Sequence, residues 1–64
     1  MYKHYAEIRD SRNLNDYQVS KLANIRSSCL YDWKSGYYTP KVDKLAKIAK
    51  VLEVPLEELL NLDD

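Results

Sequence analysis

Between Asn15 and Gly36 the chain carries two short helical patterns with almost no chain between them, and this restricts the fold more than any other feature. Asn15 can cap a helix whose third residue, Gln18, bonds back to the Asn15 backbone, the reciprocal arrangement of a capping box. The pattern predicts a helix over about 16–23. Asn24 follows, a residue that tolerates the left-handed conformation at a helix end. A second helix over about 27–35 stops at Gly36 for the same steric reason. Helices this short and this close must cross steeply, which only certain side chains permit.

Those side chains are in place. Val19, Ala23, Ile25, Leu30 and Trp33 are apolar where the two helices face each other and a core. Ser20 is small enough for close approach, and Asn24 supplies the turn. Five apolar matches alone arise by chance in a chain this apolar. The small residue, the turn Asn, the capping box and the glycine stop make the pattern specific. Asp16 to Ser35 therefore reads as a helix-turn-helix.

The flanking segments extend the same helical spacing, with no strand-like alternation. A first helix over about 2–12 places Tyr5 and Ile8 on one face and Lys3, Glu7, Asp10 and Arg12 outside. Tyr37 to Thr39 form a loop, after which Thr39-Pro40 offers a cap and first turn for a helix over about 41–52. Its expected buried stripe is Val42, Leu45, Ile48, Ala49 and Leu52. Val54-Pro55 separates this from a last helix over about 55–61, with Glu57 and Glu58 in the turn that the helix dipole favours for acids. Leu56, Leu59 and Leu60 form its apolar face. The expectation is an all-α, five-helix bundle occupying residues 1–64 as a single domain.

Composition narrows the function classes. The formal net charge is zero, yet ten Lys/Arg face five acids up to Leu52, while Glu53 to Asp64 holds five acids and no base. The chain is a basic body with an acidic end, an asymmetry that suits a polyanionic partner or simply aids solubility. One cysteine, Cys29, excludes an internal disulfide and cannot alone hold a metal. His4 has no second ligand at useful spacing and reads as a surface histidine. No Ser/His/Asp set, paired carboxylates or glycine-rich phosphate loop gives a basis for an enzyme, and no cofactor or metal is expected. No apolar run has the length of a membrane helix or secretory signal, which suggests a cytoplasmic protein.

The strings IRDSRNLNDYQVSKLANI, LYDWKSG and TPKVDKLAKIAKVLEVPLEELL resemble the Cro/Xre-type family of phage and bacterial repressors, over Ile8 to Leu60. The resemblance implies a lambda-repressor-like five-helix bundle whose third helix enters the major groove of double-stranded DNA, usually from a two-fold homodimer. It places Ser27, Ser28, Tyr31 and Asp32 against base edges. Ser27 is equally placed to cap its helix, and Asp32 to be a solvated charge. Arg26, Lys34, Ser35, Tyr37, Tyr38 and Lys41 surround the path of the sugar-phosphate backbone. Lys44, Lys47 and Lys50 read as a solvated helix face.

Two positions depart from the family pattern. Where the second helix often opens with a phosphate-binding Gln, this chain has Asp16, a carboxylate that phosphate would repel unless it is otherwise satisfied. The first-helix Arg often pairs with an acid before the glycine, where this chain has Lys34. Arg9 is thereby available for a phosphate contact, or for pairing with Asp10, Asp32 or another acid. Cys29 stands where a small hydroxyl residue is common; a packing role and a redox role are both open.

The expected function is a sequence-specific transcriptional regulator, a repressor or activator, with Leu56, Leu60 and Leu62 as the candidate dimer surface. The competing reading is a protein-interaction module on the same fold, an antitoxin or antirepressor partner, which the neutral charge and Asp16 favour. A third is the DNA-binding part of a larger regulator, against which stand the start at Met1 and the short acidic end.

Overall fold

The computed structural model describes residues 2–60, and among these every element is a helix. They are α1 (Tyr2–Ser11), α2 (Asp16–Ala23), α3 (Ser27–Ser35), α4 (Val42–Leu52) and α5 (Leu56–Leu60). The helix-turn-helix pair matches its expected limits. The expected limits of α5 extend to residue 61, which lies outside the described residues, as does Leu62.

Each of the four junctions passes through one left-handed residue: Asn13, Asn24, Gly36 and Glu53, with φ of 58°, 57°, 84° and 61°. At each, backbone N–H groups turn back to carbonyls of the last helical turn, so orphan acceptors are satisfied within the chain. Asn13 explains why α1 ends at Ser11 rather than at residue 12. The Ser11 hydroxyl donates to the Ile8 carbonyl at 2.6 Å while the Asn13 N–H donates to the Asp10 carbonyl at 3.0 Å. The capping box that opens α2 is complete. Asn15 Oδ1 accepts from the Gln18 N–H at 2.8 Å, and Gln18 Oε1 accepts from the Asn15 N–H at 2.9 Å.

The start of α4 differs from the sequence expectation. Thr39-Pro40 does not form its cap and first turn. Pro40 is buried in the preceding loop and Lys41, in extended conformation, is the cap residue without a side-chain bond. Helix geometry begins only at Val42, which overhangs the end of the core and is 58 % exposed. Val42 therefore does not belong to the buried stripe, which consists of Leu45, Ile48, Ala49 and Leu52.

α4 is the element on which α2 and α5 both pack, and α3 packs on α1 and α2. The core joins Tyr5, Val19, Leu30, Trp33, Leu45, Ile48, Ala49, Leu52 and Leu59. Tyr5 stacks on Trp33 with ring centroids 5.0 Å apart, and Tyr2 meets the same indole edge-on at 5.6 Å. The third helix is thus held from behind by α1 aromatics and from the side by α2, leaving its outer face free.

Candidate nucleic-acid interface

The crossing of α2 and α3 opens a shallow notch lined by Tyr17, Ser20, Lys21, Ile25, Arg26, Ser27 and Ser28. Nothing acidic lines it. Lys21 lies over the Tyr17 ring, its Nζ 5.4 Å from the centroid. Arg26 caps α3 by position but makes no side-chain cap bond, and Ser27 is the first helical residue. The alternative role of Ser27 as the capping residue is therefore not realised. The hydroxyls of Ser27 and Ser28 and the Arg26 guanidinium all lie on exposed residues at the free N-terminus of α3. Unpaired N–H groups there favour anions.

One turn further on, Tyr31 is 65 % exposed while Asp32 is half-buried. Beyond the helix, Lys34, Ser35, Tyr37 and Lys41 are exposed, and Tyr37 reaches 84 %. Tyr38 is half-buried beneath Lys44, whose Nζ lies 5.8 Å from the ring centroid. The expected contact residues of the notch, of α3 and of the loop after it are thus all exposed or half-buried.

Arg9 is the exception. Its Nη1 donates to Asp16 Oδ1 at 2.8 Å and to the Tyr2 hydroxyl at 2.9 Å, and its Nη2 donates to Asp10 Oδ1 at 2.7 Å. The guanidinium is mostly covered, and it is not a spare cation facing outward. Asp16 is equally saturated, accepting from Tyr2 at 2.7 Å and from Tyr5 at 2.8 Å in addition to Arg9. Burial by itself would raise the Asp16 pKa, but the bonds from Arg9, Tyr2 and Tyr5 outweigh it and hold the carboxyl below its ordinary value. Burial and the neighbouring carboxylate push the Tyr5 hydroxyl well above its own. The two departures from the family pattern are one arrangement: the Arg without its usual acid and the Asp in place of the usual Gln neutralise each other.

Cys29 is buried on the inner side of α3, and burial, reinforced by Asp32, raises its thiol pKa against the lowering effect of Lys44. Such a thiol packs rather than reacts. His4 is only partly exposed; its Nε2 is buried without a hydrogen-bond partner, 3.7 Å from a Glu58 carboxylate oxygen, so it lies between α1 and α5 rather than standing alone on the surface. Among the described residues no cluster of His, Cys, Asp and Glu could hold a metal ion, and no helix is long and apolar enough to cross a membrane.

A family model described as helix-turn-helix matches residues 6–59, which is most of the chain. The chain belongs to the Cro/Xre-type helix-turn-helix family. Comparisons with curated proteins and with solved structures give no match. As a member of this family the chain is a DNA-binding helix-turn-helix regulator, of a class that is regulatory rather than typically enzymatic. Tyr17 and Lys21 are the residues of this helix-turn-helix surface that sequence reasoning missed. Both sit on α2, and the signal available was their spacing of four, which sets a cation over a ring on one helix face.

Proposed function

We propose that this chain is a sequence-specific transcriptional repressor that inserts α3 into the major groove of duplex DNA as a cytoplasmic homodimer. The observation that carries this is the acid-free notch of Tyr17, Lys21, Arg26, Ser27 and Ser28, continuous with exposed Tyr31. Ser27, Ser28, Tyr31 and Asp32 read the bases. Their hydroxyls donate or accept, and Asp32 accepts from cytosine. Arg26, Lys21, Lys34, Ser35, Tyr37, Tyr38 and Lys41 hold phosphates and fix the register. Arg9 is not among them, since its charge is matched internally.

Dimerisation uses the leucines of the C-terminal end. Leu60 is 38 % exposed and Leu56 partly so, and Leu62 follows in sequence. Two copies related by a two-fold axis then meet half-sites about one helical turn apart, ~34 Å. The competing protein-interaction reading drew support from Asp16 as an obstacle to phosphate. Its neutralisation by Arg9 removes that support.

The experiment is binding of a randomised duplex pool at two salt concentrations, with wild type and Arg26→Ala. A repressor of this kind enriches a pseudo-palindrome, and its affinity falls steeply with salt. No enrichment, together with identical behaviour of Arg26→Ala, would overturn the proposal in favour of protein interaction.

A further inference from the structure

On the side of α4 that faces α2, a second groove is lined by Leu22, Ala23, Asn24, Lys47, Lys50 and Val51. Its floor is apolar. Leu22 is 64 % exposed, although Val19 and Ala23 of the same helix are buried. Its rim is basic, formed by Lys47 and Lys50, both exposed and without an acidic partner among the described residues. No residue of α3 or α5 lines it, so it is separate from the DNA-reading surface.

A groove of this kind fits a short segment in which leucines alternate with carboxylates. The chain itself carries one: Glu57-Glu58-Leu59-Leu60-Asn61-Leu62-Asp63-Asp64, part of the stretch from Glu53 with five acids and no base. We propose that the α2–α4 groove receives the acidic C-terminal end of a second copy of this chain, with Leu62 over Leu22 and Val51, and Asp63 and Asp64 against Lys47 and Lys50. This rests on the homodimer reading above and names the surface that the C-terminal leucines meet: this groove, rather than their own counterparts across the axis.

A second copy is favoured over the chain's own end by reach. α2 and α5 both pack on α4 but make no substantial contact with each other, so the groove and α5, from which the C-terminal end continues, occupy different flanks of α4. The four residues after Leu60 extend at most about 14 Å. Half the circumference of a helix with its side chains is roughly 16 Å or more. A mutual exchange between two copies buries both tails at once and closes the assembly at a dimer.

The test is a charge exchange, read by sedimentation equilibrium of the full chain. One variant carries Lys47→Glu and Lys50→Glu; the other carries Asp63→Lys and Asp64→Lys. Each alone sets like charges against each other in both grooves of a homodimer, and dimerisation weakens at least tenfold. Mixed in equal amounts they restore opposite charges at both contacts, and the dimer returns at near wild-type affinity. Circular dichroism of each variant confirms that the fold is kept.

Undiminished dimerisation of the Lys47→Glu/Lys50→Glu variant overturns the groove as the receiving surface while leaving the homodimer intact. Two monomeric variants whose mixture remains monomeric overturn exchange between copies. A wild type that stays monomeric at all accessible concentrations overturns both the exchange and the homodimer on which it rests.

Discussion

Arg9 and Asp16 hold each other at 2.8 Å across the α1–α2 junction, with the hydroxyls of Tyr2 and Tyr5 closing the remaining acceptor positions of the carboxylate. Asp16 is also the first residue of α2, where the helix dipole favours a negative charge. This cluster ties the helix that precedes the turn to the helix that backs Trp33. The orientation of α3 depends on it in turn.

Asp16→Ala leaves Arg9 with only the exposed Asp10 as its acid and takes the acceptor from two tyrosine hydroxyls. The expected cost is about 2 kcal/mol, below the ~3–5 kcal/mol of a fully buried pair because the side chains remain partly accessible. Arg9→Ala costs somewhat less, since Asp10 is exposed to water. Urea denaturation of both single variants and the double variant gives the coupling, expected at about 1 kcal/mol or more. Strict additivity would show that the pair does not act as a unit.

The same carboxylate sets an acid limit. Its folded pKa lies below its unfolded value, so its stabilising contribution is fully present above about pH 5 and is lost progressively as pH falls through the unfolded and then the folded value. Wild type should therefore lose stability between pH 5 and pH 2 more steeply than Asp16→Asn, which has no charge to lose. Parallel thermal melts across that range compare the two; coincident slopes would count against the sign.

Lys21 and Arg26 both line the notch, and each should contribute one phosphate contact. Replacing either by alanine is expected to weaken binding evenly across duplex sequences and to reduce the log–log salt slope by about 1. Tyr31→Ala should instead change which bases are preferred at one or two positions of the selected site. A salt slope unchanged by either basic substitution would remove that residue from the backbone contacts.

Glu53 adopts a left-handed backbone without the freedom of glycine or the local bonding of asparagine. Glu53→Gly should stabilise the fold by about 0.5–1 kcal/mol, the relief of strain outweighing the extra freedom of the unfolded chain. Gly36→Ala should do the reverse. No atom stands within 4 Å of where its Cβ would lie, so its φ of 84° alone opposes the substitution. Melting temperatures of both variants decide the matter.

What could be read from sequence was whatever depends on near neighbours along the chain. Asn15 with Gln18, Asn24 and Gly36 each announce a helix limit through bonds spanning only a few residues, and α2 and α3 end where those signals place them. Glu53 gave no such signal, because nothing in a glutamate favours a left-handed turn; packing of α5 on α4 imposes it. Pro40 misled for a related reason. Proline suits a first helical turn, but here its ring fills a buried position and the helix starts two residues later. At the site, the exposed residues of α3 followed from helical periodicity. The Arg9–Asp16 pair, the Lys21–Tyr17 stack and the α2–α4 groove depend on where separate turns come to lie, which periodicity along one helix does not give.

The junctions also differ in slack. Residues 12–15, 24–26 and 53–55 are short connections whose backbone groups are bonded into the helix ends they join, so an added residue there would shift one helix against its neighbour. Residues 36–41 form the longest connection. Past Gly36 and Tyr37, whose N–H groups close the end of α3, its backbone N–H groups take part in no such turn. Chain length can therefore change between Tyr38 and Lys41, beside the proposed path of the phosphates, while the helices stay in register. New operator contacts can evolve there without a new fold.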